Sequence, residues 1–80
     1  MTKEENRQQT AAAIGQRIKT AREAKGWTIY RLAKEAGLSS GHVSRIEHAL
    51  VIPTADILHR ITQALEISII FPLCFAENLQ

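Results

Sequence analysis

The sequence predicts an all-α fold, a compact bundle of about five helices. Apolar residues recur at helical spacing, Ser or Thr precedes several apolar stretches, and Gly follows others. The 80 residues suffice for one domain with a modest core, and a hydrophobic content of 45% is too high for a disordered chain. We therefore expect a single helical domain over residues 10–66, between two terminal segments.

The N-terminal part of the chain is expected to contain an arm and one helix. Residues 1–9 are polar and show no apolar period, so a flexible arm is predicted there. Ile14, Ile18 and Ala21 then fall on one helical face at i, i+4 and i+7. Gly26 is expected to end this helix in a left-handed conformation.

Two short helices are predicted next. Thr28 is a favourable N-cap for a helix over Ile29–Ala36, and Ser39 is one for a helix over Ser40–Glu47. Gly37 separates them, because a tight turn between helices requires a positive φ. The apolar residues expected to face inward are Leu32, Ala33, Ala36, Leu38, Val43 and Ile46.

A fourth and a fifth helix complete the expected bundle. Thr54 caps the fourth, whose apolar face consists of Ile57, Leu58, Ile61, Ala64 and Leu65. Ser68 can cap a short helix over residues 69–75. A short strand over residues 67–71 competes with it, because β-branched residues cluster there.

Composition argues against several classes of protein. No apolar run reaches the ~18 residues of a membrane span, and the N-terminus lacks the profile of a secretory signal. The single cysteine, Cys74, allows no internal disulfide and suits a reducing compartment, so we expect a cytoplasmic protein without membrane association. No catalytic motif is visible, so we expect neither an enzyme nor a cofactor.

The stretch from Ile29 to His48 is the most informative about function. Two short helices at a steep angle, joined by a turn with Gly, form a helix-turn-helix, whose second helix enters the DNA major groove. Seven Lys and Arg but two Glu lie between Arg17 and Arg45, and positive charge attracts phosphate. An ordinary helical hairpin with a polar outer face is the competing interpretation.

The outer face of the third helix is expected to read bases. Arg45 can offer a bidentate fork to guanine, and serine hydroxyls can donate or accept. The residues expected to face bases are Ser39, Ser40, Gly41, Ser44, Arg45 and His48. Trp27 and Tyr30 could stack on bases, but packing at a helix junction is favoured. His42, His48, His59 and Cys74 fit no compact zinc motif, so no metal is expected.

Several motifs occur together in a characteristic order and spacing. They are Ile14-Gly15-x-Arg17-Ile18-Lys19-x-x-Arg22, Gly26-Trp27-Thr28, Leu32-Ala33-x-x-x-Gly37-Leu38-Ser39, Val43-Ser44-Arg45-Ile46-Glu47, Pro53-Thr54 and Ala64-Leu65. With them the chain resembles the lambda-repressor-like, XRE-type helix-turn-helix family of phage repressors and bacterial regulators. The resemblance implies a five-helix domain that binds double-stranded operator DNA, usually as a dimer.

The resemblance also implies roles for individual residues. It places Ser40, Gly41, Ser44 and Arg45 where the family reads bases. The residues implied to meet phosphate are Arg22, Thr28, Ile29 and His42. Arg22 and Glu47 are implied to form an ion pair. Three positions depart from the family pattern: Gly41 lacks a reading side chain, Ala49 replaces a helix-closing Gly, and residues 50–52 are apolar where basic residues are common.

The predicted function is that of a sequence-specific transcriptional regulator, a repressor at a palindromic operator. A homodimer is expected through the apolar C-terminal segment, residues 67–80, with help from residues 50–52. Its interface residues would be Ile69, Ile70, Phe71, Leu73 and Phe75. A tail folded back as the fifth helix of a monomer is the alternative. The runner-up function is a protein-interaction module of antitoxin or anti-regulator type, which would hold a second protein with the same fold.

Overall fold

A computed structural model describes residues 2–68, which form four helices and no strand. The helices are α1 (Lys3–Ala24), α2 (Ile29–Ala36), α3 (Ser40–Glu47) and α4 (Ala55–Leu65). The predicted all-α fold is confirmed, and α2 and α3 have the predicted bounds. The fifth helix expected over residues 69–75, and most of the competing strand, lie outside the described residues.

α1 begins earlier than the sequence analysis predicts. Oγ1 of Thr2 accepts a hydrogen bond from the Glu5 N–H at 3.1 Å, and Oε1 of Glu5 accepts one from the Thr2 N–H at 2.9 Å. This capping box starts the helix, and no Gly or Pro interrupts it before the packed part. Residues 3–9, expected to be a loose arm, are therefore helical. Residues 2–10 are all exposed, which explains why no apolar period marks them.

All four helices use similar end structures. The predicted N-caps Thr28, Ser39 and Thr54 each accept the N–H of the third helical residue. After each helix comes a residue in the left-handed conformation. Its N–H and the N–H of the next residue donate to carbonyl oxygens in the last turn of the helix. These residues, with their φ angles, are Gly26 (72°), Gly37 (72°), Ala49 (62°) and Glu66 (58°).

The core lies where α1 and α4 pack against the α2–α3 pair. Its buried residues are Ile14, Ile18, Leu32, Ala33, Ala36, Val43, Ile46, Ile61 and Leu65. Ile67, which follows α4, is half-buried against this core. The first residue of the segment predicted to form the dimer interface is thus engaged within its own domain.

Gly15 allows α1 to lie directly against the end of α3. A β-carbon built on Gly15 would lie 2.6 Å from the carbonyl oxygen of Ile46 and 2.7 Å from that of Glu47. Both distances are too short for carbon and oxygen, so only glycine fits here without movement of a helix. The contact fixes the C-terminal end of α3 against α1.

None of the helices in residues 2–68 has the length and apolar character needed to cross a membrane.

Candidate nucleic-acid interface

The turn between α2 and α3 sets the direction of α3. Gly37 adopts its left-handed conformation there, and the Leu38 N–H donates to the carbonyl oxygen of Ala33 at 2.8 Å. Leu38 packs partly buried against the core, and Ser39 then caps α3. A tight turn anchored on both sides holds α3 against α2, as a helix-turn-helix requires.

The outer face of α3 is open and carries the cation Arg45. Ser40, Gly41 and Arg45 are exposed, and Ser44 is half-buried. Within residues 2–68, Arg45 forms no ion pair and no side-chain hydrogen bond, whereas four other cations are paired with carboxylates. The fork of Arg45 is therefore available to an external ligand.

Two further residues of the predicted reading set take part in local hydrogen bonds. Oγ of Ser39 accepts the His42 N–H at 3.1 Å as the α3 cap, so this oxygen is already engaged. Nδ1 of the exposed His48 lies 2.8 Å from the carbonyl oxygen of Ser44. This contact engages Nδ1, and Nε2 of the ring has no hydrogen-bond partner within residues 2–68. His42 itself is half-buried beside this face.

The N-terminus of α2 presents donors that the protein does not use. Oγ1 of Thr28 accepts the Arg31 N–H at 3.0 Å, but the N–H groups of Ile29 and Tyr30 have no acceptor within residues 2–68. Free N–H groups at a helix start, together with the positive end of the helix dipole, favour an anion. The side chain of Ile29 packs against the core, so only its backbone faces outward as a donor.

Arg22 and Glu47 meet in a bidentate ion pair. Nε of Arg22 lies 2.7 Å from Oε2 of Glu47, and Nη2 lies 3.1 Å from Oε1. Nη1 also donates to the carbonyl oxygen of Trp27 at 2.7 Å. The side chains of Arg22 and Glu47 are 11% and 3% exposed, and the hydrogen bond to Glu47 raises the pKa of the Arg22 guanidinium. The pair ties α1 and the loop before α2 to the end of α3.

The two aromatic residues at the start of α2 differ in exposure. Trp27 is partly buried against the core, with Nζ of Lys25 5.1 Å and Cζ of Arg31 4.8 Å from its ring centroid, so it packs as expected. Tyr30 is 70% exposed, and the expectation that it packs is wrong. The inner face of α2 is filled by Leu32, Ala33 and Ala36, which a helical projection of the sequence could have shown.

The loop between α3 and α4 combines strain with exposed apolar surface. Ala49 adopts the left-handed conformation at the position where the resemblance led us to expect glycine. Val51 packs against the core, but Leu50 is 70% and Ile52 41% exposed. The apolar loop thus buries one side chain and leaves two in solvent.

Some predicted sites lie partly or wholly outside the described residues. The expected interface residues Ile69, Ile70, Phe71, Leu73 and Phe75 are beyond residue 68, as is Cys74. Within residues 2–68, no three His, Cys, Asp or Glu side chains are grouped as metal ligands would be.

Comparisons with known proteins agree with this geometry. A family model described as helix-turn-helix matches residues 18–71. The HTH-type transcriptional regulator SinR of Bacillus subtilis (strain 168) is 37% identical over 57 residues, as is SinR of Bacillus licheniformis. The match covers 70% of this chain and 51% of either SinR, so the chain spans about half the length of these relatives. No solved structure matches significantly.

Proposed function

This chain belongs to the XRE-type helix-turn-helix family, and from that premise we propose that it is a sequence-specific, double-stranded-DNA-binding transcriptional regulator. The observation that carries the proposal is the outer face of α3. This face has no acidic residue and bears the exposed Arg45, which has no ion-pair partner in the described part of the chain. In the proposed complex, α3 enters the major groove and presents this face to base edges.

Base contacts in the proposed complex follow from the chemistry of α3. Arg45 donates to O6 and N7 of guanine, the commonest specific contact in the major groove. Ser40 and Ser44 donate or accept through their hydroxyls. His48 offers Nε2 of its exposed ring for a hydrogen bond to a base edge. Ser39 supports the helix start next to the bases.

Phosphate contacts are proposed at the start of α2 and beside α3. The free N–H groups of Ile29 and Tyr30, next to Thr28, point out of the helix start and suit one phosphate. Arg22 uses three N–H donors inside the protein, which leaves two of the five in a guanidinium for another phosphate. His42, a half-buried residue in the first turn of α3, is the remaining residue proposed to meet phosphate.

A homodimer and a palindromic operator are proposed together. Exposed Leu50 and Ile52 support an apolar interface, in addition to the predicted contribution of residues 69–75. A two-fold axis would place the two copies of α3 about one DNA turn, ~34 Å, apart, so the operator half-sites would be inverted repeats. Repression follows where such an operator overlaps a promoter.

The test is selection of bound sites from a random pool of double-stranded DNA, with sequencing of the bound fraction. We expect enrichment of an inverted repeat with half-site centres about 10 base pairs apart. If the folded protein enriches no sequence at any salt concentration, the proposal is wrong. That result would favour the alternative, an interaction module that uses the exposed Leu50 and Ile52 to hold another protein.

Oligomeric state is tested separately by sedimentation at micromolar concentration. The chain mass is 8.9 kDa, and we expect twice that value. Phe71→Asp and Leu50→Asp probe the two parts of the proposed interface. A monomeric wild type contradicts the dimer, and a dimer that survives both substitutions places its interface elsewhere.

A further inference from the structure

Gly41 and Arg45 lie one helical turn apart on the outer face of α3, and the guanidinium of Arg45 lies beside the place that a side chain at position 41 would take. A β-carbon built on Gly41 would lie 3.6 Å from Nη1 of Arg45. Helical side chains lean toward the N-terminus, so the guanidinium extends back over position 41. Both residues are exposed, and no acidic partner within residues 2–68 accounts for this placement.

The size of a side chain at position 41 determines whether this arrangement survives. A methyl group at 3.6 Å from Nη1 is in ordinary van der Waals contact, so alanine leaves the guanidinium where it is. A branched side chain extends beyond the β-carbon and competes with the guanidinium for the exposed surface of the first turn. Leucine at position 41 is therefore expected to displace Arg45 from the first turn of α3.

We infer that Gly41 is a specificity-determining residue of the reading face and that it acts through Arg45. The inference rests on the proposed function of DNA binding. Because Gly41 has no side chain, the guanidinium of Arg45 can reach the first turn of α3. This turn is the part of a recognition helix that meets base edges. Arg45 thus reads the guanine that faces position 41, and position 41 contributes no contact of its own.

The experiment compares five proteins in the same selection from random DNA: wild type, Gly41→Ala, Gly41→Leu, Arg45→Ala and the double variant Gly41→Leu/Arg45→Ala. Wild type is expected to enrich guanine at one position of each half-site. Arg45→Ala should reduce that preference by about 5- to 150-fold. Gly41→Leu should reduce it to a similar extent at the same position, whereas Gly41→Ala should retain it.

The double variant distinguishes an indirect role from a direct one. If Gly41 acts through Arg45, leucine adds nothing once the guanidinium is gone, and the double variant matches Arg45→Ala. The inference is overturned if Gly41→Leu keeps the guanine preference, or if it changes other positions equally in the presence and absence of Arg45. Thermal melting of each variant shows that the fold is intact, since position 41 is exposed. A wild type that selects no sequence instead overturns the proposed function.

Discussion

The two sides of α3 have opposite chemistry. On the inner side, the Gly15 backbone meets the last carbonyls of α3, and Glu47 is held by Arg22 in a pair that is almost fully buried. On the outer side, Arg45 has no ion-pair partner within residues 2–68, and its guanidinium lies 3.6 Å from the place of a β-carbon on Gly41. The eight residues of α3 thus contribute to the stability of the fold on one face and to the proposed DNA recognition on the other. Substitutions on the inner side should lower the free energy of unfolding, and those on the outer side should lower the affinity for DNA.

The largest effect is expected at Glu47. Glu47→Ala leaves the Arg22 guanidinium without its carboxylate in a site where both side chains are nearly buried, which costs ~3–5 kcal/mol of unfolding free energy. Glu66→Ala is the matched control, because its pair with Lys25 spans 3.2 Å and Glu66 is 80% exposed. Chemical denaturation measures the unfolding free energy of both variants. Equal, small losses of unfolding free energy would mean that the buried pair adds nothing to stability.

Gly15→Ala should be the next most damaging change on the inner side. Its β-carbon would meet two backbone oxygens that cannot rotate away, so α1 and α3 must separate, at about 1–3 kcal/mol. Gly41→Ala, in the same helical context but on the open face, is the control and should not destabilise. Melting curves compare them, and a Gly15→Ala protein as stable as wild type would show that the helices are not in close contact there.

The outer side is tested by Arg45→Ala. We expect a loss of roughly 1–3 kcal/mol in binding to the selected DNA site, with an unchanged unfolding free energy, because the exposed side chain has no partner among residues 2–68. Lys34→Ala is the control for charge alone, since it removes an exposed cation outside α3 and should weaken all sequences alike. A large loss of stability in Arg45→Ala would contradict the separation of the two faces.

The smallest effect is expected at Ala49, which ends α3 in a left-handed conformation. Ala49→Gly should stabilise the protein by about 1 kcal/mol, because glycine removes the clash between the β-carbon and the backbone. Gly26→Ala is the converse control, because Gly26 has the same left-handed conformation. A β-carbon built on Gly26 has no neighbour within 4 Å, so this substitution adds backbone strain without a steric contact. Opposite shifts in melting temperature are expected, and shifts of the same sign would contradict the strain.

Local signals explain which parts of the fold could be predicted from the sequence. Thr28, Gly37 and Ser39 each act on the backbone within a few residues, so the bounds of α2 and α3 follow from residue type alone. Apolar periodicity does not predict the start of α1, because residues 2–10 are exposed and carry no apolar face. The capping box at Thr2 and Glu5 was the signal that could have found it.

The candidate site could be predicted in outline but not in its contacts. The exposed position of Arg45 follows from helical periodicity once α3 is recognised. The pairing of Arg22 with Glu47 was implied only by the family resemblance. No local sequence pattern could predict it, because the two residues lie on different helices. The close approach at Gly15 had no sequence signal, because a glycine does not reveal which backbone will face it.

Substitutions on the two sides of α3 have different consequences for the fold. Ser40, Gly41 and Arg45 contribute no side chain to the buried core. Each can be replaced without disturbing the interior, whereas a change at Gly15 or Glu47 must be compensated elsewhere. A combinatorial library randomised at the three outer positions should therefore yield mostly folded proteins, so that this face can change while the scaffold stays the same.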